Sequence, residues 1–355
     1  MTHTRVAFIG TGPDPENPDW GTSAAMAYLH ADAYDALDNC SLIACADLVR
    51  SHAETFADRF DIHEQHVYED YMAMLRDVEP DIVSVCTPVP THADIVVNCA
   101  ESETLRAIHC EKPMADTFGD CRRMVDVCED HGIQLTFNHQ RRFSAAYTEA
   151  KRRIEEGEIG TVERFEIGGK NLFDFGSHLI DVCTGLNSEQ KPEWALCQVD
   201  YSVENIRYGS HNENQALAMW EYDNGVHALL STGSGAEMID CFVRIHGSEG
   251  TLELWPSGKH DIRIKRDGDA EPEEIDCEDE TRPIFGAIED VISSLDVDTP
   301  PDLHAKSVLI ANEIIFACWE SVRRRGRVEF PLNIEDNPLH AMVESGDLDP
   351  KPAEE

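Results

Sequence analysis

Lys112 is the first lysine of the chain, and it stands in Glu111-Lys112-Pro113, directly after the apolar run 104–110. The sequence carries 69 Asp and Glu against 29 Lys and Arg, a formal net charge of −40. An ammonium group at a strand end in so acidic a chain has a task there. It can hydrogen-bond a reacting oxygen and stabilise the negative charge that develops on it. Asp174-Phe175-Gly176-Ser177-His178 sets a carboxylate and an imidazole four residues apart, which on a helix puts both on one face. Imidazole has the ordinary pKa suited to taking up a hydroxyl proton near neutrality, and the carboxylate can orient it or bind an adjacent hydroxyl. The plain alternatives are a surface lysine, a capping aspartate and a core histidine; Asp181 reads as structural.

A third constellation opens the chain. Gly10-Thr11-Gly12 follows the first strand-like run, where a dinucleotide pyrophosphate would meet main-chain amides. The usual third glycine is displaced, because Pro13 to Gly21 intervene before the helix, about ten extra residues. Gly21, Thr22 or Ser23 then becomes the close-approach point. Asp47 ends the second strand, where a carboxylate accepts hydrogen bonds from the adenosine ribose and repels a 2′-phosphate. That favours NAD over NADP, although Arg50 nearby blurs the preference, and a capping aspartate is the simpler alternative. Taken with Lys112 and His178, the pattern points to hydride transfer with a nicotinamide cofactor. Pro113 fixes the chain direction, and the sequence implies a cis Lys112–Pro113 bond.

These residues need a scaffold. Short β-branched runs at 5–9, 41–46, 81–86, 104–110 and 134–137 alternate with helical patterns at 23–37, 51–60, 91–101 and 118–131. That rhythm is a parallel sheet with helices on both faces, which binds ligands at the carboxyl ends of its strands. After about residue 160 the pattern becomes strands at 161–167, 194–203, 214–222, 226–232, 241–246 and 251–254, joined by tight turns such as Asp223-Asn224-Gly225. The second half therefore reads as a largely antiparallel sheet. Residues 265–282 read as an acidic solvated loop, 305–324 as a long helix, and the tail after Pro331 as peripheral and loosely ordered. The fold class expected is α/β, with domains at 1–137 for NAD(P), 138–332 for substrate and oligomerisation, and an acidic tail at 333–355.

Composition narrows the class. Hydrophobic content of 41% suits a globular protein, so the charge excess belongs to the surface. Such acidity suggests a salt-rich cytoplasm, where a Debye length of about 3 Å at 1 M salt screens the self-repulsion. Nucleic acid and anionic membranes are excluded as partners for lack of a basic stripe, and no run approaches the roughly 20 apolar residues of a membrane span. The chain enters a strand at once, leaving no room for a signal peptide, and its twelve cysteines form no paired or metal-ligating pattern. The expectation is a cytoplasmic protein without disulfides or a metal.

Glu111-Lys112-Pro113, Asn138-His139-Gln140-Arg141-Arg142-Phe143 and Asp174-x-Gly176-x-His178-x-x-Asp181 resemble the glucose–fructose oxidoreductase / inositol dehydrogenase (Gfo/Idh/MocA) family. Cys86-Thr87-Pro88 looks like that family's nicotinamide-side loop, and 328–331 like its last strand. The resemblance spans nearly the whole chain to about Leu332. It implies a Rossmann domain followed by an open, mainly antiparallel sheet that often builds homodimers or homotetramers. It also implies reversible oxidation of a secondary alcohol on a sugar, polyol or inositol. Lys112 would polarise the carbinol oxygen, His178 would be the acid/base and Asp174 would hold substrate or orient the base. Gly10, Gly12, Asp47, Thr87, Pro88, Glu111 and Lys112 would bind the cofactor. Asn138 and Arg142 would line the sugar pocket, with a structural ion pair as the alternative for Arg142; His30 resembles the family's helix histidine and reads as structural. Two other functions stay open: a non-catalytic NAD- and sugar-binding sensor, and an NAD-dependent glycosidase. The substrate itself is not legible.

Overall fold

The computed structural model describes residues 3–16, 25–258, 260–278, 282–297 and 299–353. The expected start of the first helix at 23, and the candidate contacts Gly21, Thr22 and Ser23, lie outside them. The chain divides into two compact units: Met1–Asp116, Asp120–Gln140 and Ile284–Lys306 form one; Thr117–Gly119, Arg141–Pro283 and Ser307–Glu355 form the other.

The first unit strings together β1 (Thr4–Ile9), α1 (Met26–Asp35), β2 (Cys40–Ala46), α2 (Arg50–Arg59), β3 (Val67–Tyr68), α3 (Tyr71–Val78), β4 (Ile82–Val85), α4 (His92–Glu101), β5 (Ala107–Cys110), α5 (Phe118–Asp130) and β6 (Gln134–Phe137). The six strands are all parallel in the order β3-β2-β1-β4-β5-β6. Between β1 and β4 the strand order reverses, which is where such sheets take a dinucleotide. β4 and β5 are buried along their whole length, and their apolar runs are broken only by Ser84 and His109. β3 and α3 are two elements the sequence pattern did not announce. β3 has only two residues, too few to show a period. α3 is begun by the Asp70 carboxylate, which accepts the Met72 N–H at 2.8 Å, and it buries Met74, Leu75 and Val78.

The second unit holds α6 (Ala145–Glu155), β7 (Val162–Gly169), α7 (Gly176–Leu186), β8 (Pro192–Asp200), β9 (Ile206–Arg207), β10 (Ser210–His211), β11 (Gln215–Tyr222), β12 (His227–Thr232), β13 (Cys241–Gly247), β14 (Gly250–Pro256), β15 (Ile262–Arg266) and β16 (Glu273–Ile275). After α8 (Pro283–Ser293), which packs Ile284, Ile288 and Val291 into the first unit's core beside Phe8, come α9 (Ala305–Arg324), β17 (Val328–Glu329) and α10 (Pro338–Ser345). The nine-stranded sheet runs β16-β15-β14-β13-β7-β12-β11-β8-β17, with β7 and β12 parallel and every other pair antiparallel. The expected fold class is therefore what the protein adopts.

Two local expectations are corrected. Within 265–282, Glu273–Ile275 is a strand, since Ile275 and Glu273 register on Ile262 and Ile264, which are fully buried. Of its charges, Glu273 pairs with Arg266 and Arg153, and Glu274 with Arg263 and His260. Through residue 353 the tail is ordered rather than loose. Asn337 caps α10 by accepting the Leu339 and His340 N–H groups, Leu339 and Met342 are buried, and Lys351 bridges to Val203. Among the described residues no helix is long and apolar enough to cross a membrane.

Candidate active site

At the end of β1 the backbone turns through Gly10 at φ +82° and Gly12 at φ +64°, conformations that side-chain-bearing residues avoid. A Cβ on Gly10 would lie 2.5 Å from Thr87 Cγ2 and 3.1 Å from the Cys86 carbonyl, so only glycine lets the ends of β1 and β4 approach this closely. Asp47, just past β2, reaches back to this turn. Its Oδ2 accepts the N–H groups of Thr11 and Gly12 at 2.9 Å each and the Thr11 hydroxyl at 3.2 Å; its Oδ1 accepts the Val49 N–H at 2.8 Å. The structure thus brings Gly10, Gly12, Asp47 and Thr87 together. A glycine turn without side chains, at the point where strand order reverses and with a carboxylate beside it, fits a dinucleotide. Pro88 contributes its carbonyl, which accepts both the hydroxyl and the N–H of Thr91 and closes a short turn.

Lys112 follows β5, and the Lys112–Pro113 bond is cis, as the sequence implied. Beneath it lies a buried polar layer. Glu111, expected among the cofactor-binding residues, spends its carboxylate inside the protein. Oε1 accepts from His30 Nε2 at 2.9 Å and from the Asn138 amide at 2.6 Å, while Oε2 accepts the Lys112 N–H at 3.1 Å. Glu111 is therefore corrected to a brace for Lys112. Asn138, expected in the sugar pocket, is 1% exposed, and its amide nitrogen also faces Gln140 Oε1, so it belongs to the same brace. His30, read as structural, completes the layer through Nδ1 to the Ser84 hydroxyl at 2.7 Å.

Burial works against both charges of this pair, and the pairing overcomes it. His30 is raised to about 10 despite desolvation, by the Cys86 sulfur and the Glu111 carboxylate; we credit the carboxylate, the nearer and fully charged partner. Glu111, which burial would push up, is pulled down to about 2 by His30, Asn138 and Lys112. His92 ties the two loops above: its ring nitrogens face the Pro113 carbonyl at 3.0 Å and the Thr87 carbonyl at 2.8 Å, while burial holds its pKa down.

In the second unit α7 begins at Gly176, so Asp174 sits in the turn before the helix and His178 in its first turn. The expected shared helical face is corrected accordingly. The turn is fixed by side chains that sequence reasoning missed. Glu213, fully buried between β10 and β11, accepts the Leu172 N–H at 2.6 Å and the Trp319 indole N–H at 3.3 Å. Asn212 accepts the Asp174 N–H at 3.0 Å, and Asn171 accepts the Phe175 N–H at 2.8 Å. Gly176 is required, since a Cβ there would lie 2.4 Å from the Asn171 carbonyl oxygen. His178 is 9% exposed. One turn further, Asp181 is fully buried and takes the Arg142 guanidinium at 2.7 and 2.8 Å, with Ser307 and Glu189 on the same guanidinium. Arg142 is thus the ion-pair residue of the two alternatives and not a pocket-lining one.

Its neighbour Arg141 was missed. That guanidinium lies 5.2 Å from the Phe175 ring centre, 5.6 Å from Phe242 and 5.1 Å from Trp255. Each such contact is worth about 0.5–2 kcal/mol. Adjacent identical arginines give no signal separating an ion-paired guanidinium from one boxed by aromatic rings.

Comparison with known proteins places these features in context. The model described as "Oxidoreductase family, NAD-binding Rossmann fold" matches residues 5–139, and its companion, "Oxidoreductase family, C-terminal alpha/beta domain", matches 162–330. The D-apiose dehydrogenase of Paraburkholderia graminis is 23% identical over 262 residues, 67% of each chain. The inositol 2-dehydrogenase of Salmonella paratyphi B is 29% identical over 129 residues, 36% of this chain and 37% of that one. Among solved structures, an NAD-binding oxidoreductase from Klebsiella pneumoniae superposes with a TM-score of 0.77 at 17% identity, covering 94% of this chain and all of that one.

Proposed function

Because the chain belongs to the Gfo/Idh/MocA oxidoreductase family, we propose that it transfers a hydride between a secondary alcohol of a sugar, polyol or inositol and a nicotinamide cofactor. When bound, that cofactor supplies the hydride acceptor. The chain's own residues do the rest. His178 takes the hydroxyl proton, Lys112 stabilises the negative charge left on that oxygen, and Asp174 orients the base or binds a neighbouring hydroxyl. Gly10, Gly12, Asp47, Thr87 and Pro88 hold the cofactor. The observation that carries the reading is Lys112 itself. A buried imidazolium–carboxylate pair braces its backbone at a strand end, a costly arrangement that a surface lysine would not need. The named activities of the apiose and inositol dehydrogenases agree with it.

NAD is the favoured cofactor, because a carboxylate at Asp47, beside the glycine turn, would repel a 2′-phosphate, and Arg50 is occupied with Glu54 at 2.8 Å. The acidity favours a salt-rich cytoplasm as the working medium. A homodimer or homotetramer is supported by the open sheet face, where Leu196 and Leu229 flank Met219 in register and Leu217 is 63% exposed.

The test is nicotinamide reduction at 340 nm, on the order of 2 M KCl, against aldoses, polyols and inositols with NAD and NADP. Lys112→Ala should lower turnover about 10²-fold or more while thermal unfolding stays cooperative. Wild-type turnover in that variant removes Lys112 from the mechanism.

A further inference from the structure

We propose that Arg141 and Lys170 form an anion-recognition corner of the substrate site, so that the substrate is a polyhydroxylated acid carrying a carboxylate or a phosphate. The proposal rests on the dehydrogenase reading and adds the charge of the molecule oxidised.

In a chain with 69 acidic residues, buried and mostly buried guanidinium groups acquire carboxylates readily: Arg142, Arg153 and Arg244 each have two or more. Arg141 has none among the described residues. Its partners are the faces of Phe175, Phe242 and Trp255, and burial lowers its pKa with no acidic neighbour to oppose the shift. A second cation joins it: the Lys170 ammonium lies 5.4 Å from the centre of the same Phe175 ring and is likewise not ion-paired among the described residues. Two like charges sharing one ring, without a counter-ion, store repulsion that an anion would relieve.

The aromatic box also directs the guanidinium. With three ring centres within 5.1–5.6 Å of its central carbon, the guanidinium has only its N–H groups to offer a polar ligand, and a pair of them matches two oxygens of one carboxylate or phosphate. The place is specific to the reaction. Phe175 immediately follows Asp174 and caps the helix that bears His178 in its first turn. An anionic group held at Phe175 would set the hydroxyls of the same small molecule towards the proposed acid/base. The −40 charge of the whole chain does not oppose such a corner, since in concentrated salt its repulsion fades within a few ångströms while a direct contact survives.

The full-length enzyme with NAD would be tested on matched substrates: a neutral aldose, the corresponding uronate and aldonate, and the sugar phosphate. We expect kcat/KM for one anionic member to exceed that of its neutral parent by about 10-fold or more. Arg141→Gln should collapse that ratio through KM, Lys170→Gln should do so in part, and Arg141→Lys should restore some of it. Preference for the carboxylates or for the phosphate decides which group is recognised. A wild-type preference for the neutral sugar, or an unchanged ratio in both glutamine variants, would overturn the proposal. Calorimetric binding of the same acids to the NAD-loaded protein keeps the two readings apart. Acids that bind through Arg141 and are never oxidised defeat the dehydrogenase reading alone. Neutral sugars oxidised with no acid bound defeat this one alone.

Discussion

Glu111 lies next to Lys112 yet turns its carboxylate inward. Replacing it with Gln leaves His30 buried without a counter-charge, at a cost on the order of 3 kcal/mol near pH 6. The pH dependence follows from the two shifts. His30 is raised, so its stabilisation is complete below its ordinary 6.5 and disappears as pH climbs through about 10; Glu111 is depressed, so its share is complete above 4.5 and disappears as pH falls through about 2. The pair therefore supports the fold most between 4.5 and 6.5. Wild-type melting temperature should decline from pH 6.5 towards 10, with a shallower slope in Glu111→Gln; parallel curves would exclude the pair as the cause. Lys112 was legible because lysine is scarce and its neighbours are distinctive. The role of Glu111 was not, because the direction of a side chain depends on His30 and Asn138, residues distant in sequence that meet only in the folded sheet.

At the level of elements, the turn 171–176 gains its shape from Asn212 and Glu213, some forty residues on. Glu213→Ala removes the acceptor for the Leu172 N–H and should reduce kcat about 10-fold or more, leaving NAD affinity as it was. Glu213→Gln should recover most of the loss, because burial already raises this carboxyl's pKa and an amide oxygen can accept the same bond. Equal damage to NAD binding would mean general unfolding instead of misplacement of His178. The long apolar strands and α9 were readable from period alone. β16 and α10 were not: β16 is only Glu273-Glu274-Ile275 and α10 only eight residues, and they are held by cross-strand register and by a cap. Nor does the amphipathic period of α8 say which sheet it covers.

For the molecule as a whole, the charge sets the conditions of stability. At 0.1 M salt the Debye length is about 10 Å and at 1 M about 3 Å, so added salt relieves repulsion among 69 carboxylates. Exposed pairs such as Arg50–Glu54 lose little by it. The melting temperature should rise by roughly 5 °C or more between 0.1 and 2 M KCl; a flat or falling profile would show that the acidity is not an adaptation to salt. Length and the switch from alternating to hairpin-linked strands foretold the two large sheets. They could not foretell how the closing segment is used. The His340 ring of α10 meets His211 edge-on with ring centres 4.7 Å apart, and His211 precedes the asparagine that holds the Asp174 backbone. A purification handle, fusion partner or proteolytic nick beyond Leu332 would therefore disturb the helix that bears His178, and dinucleotide titrations alone would miss the damage.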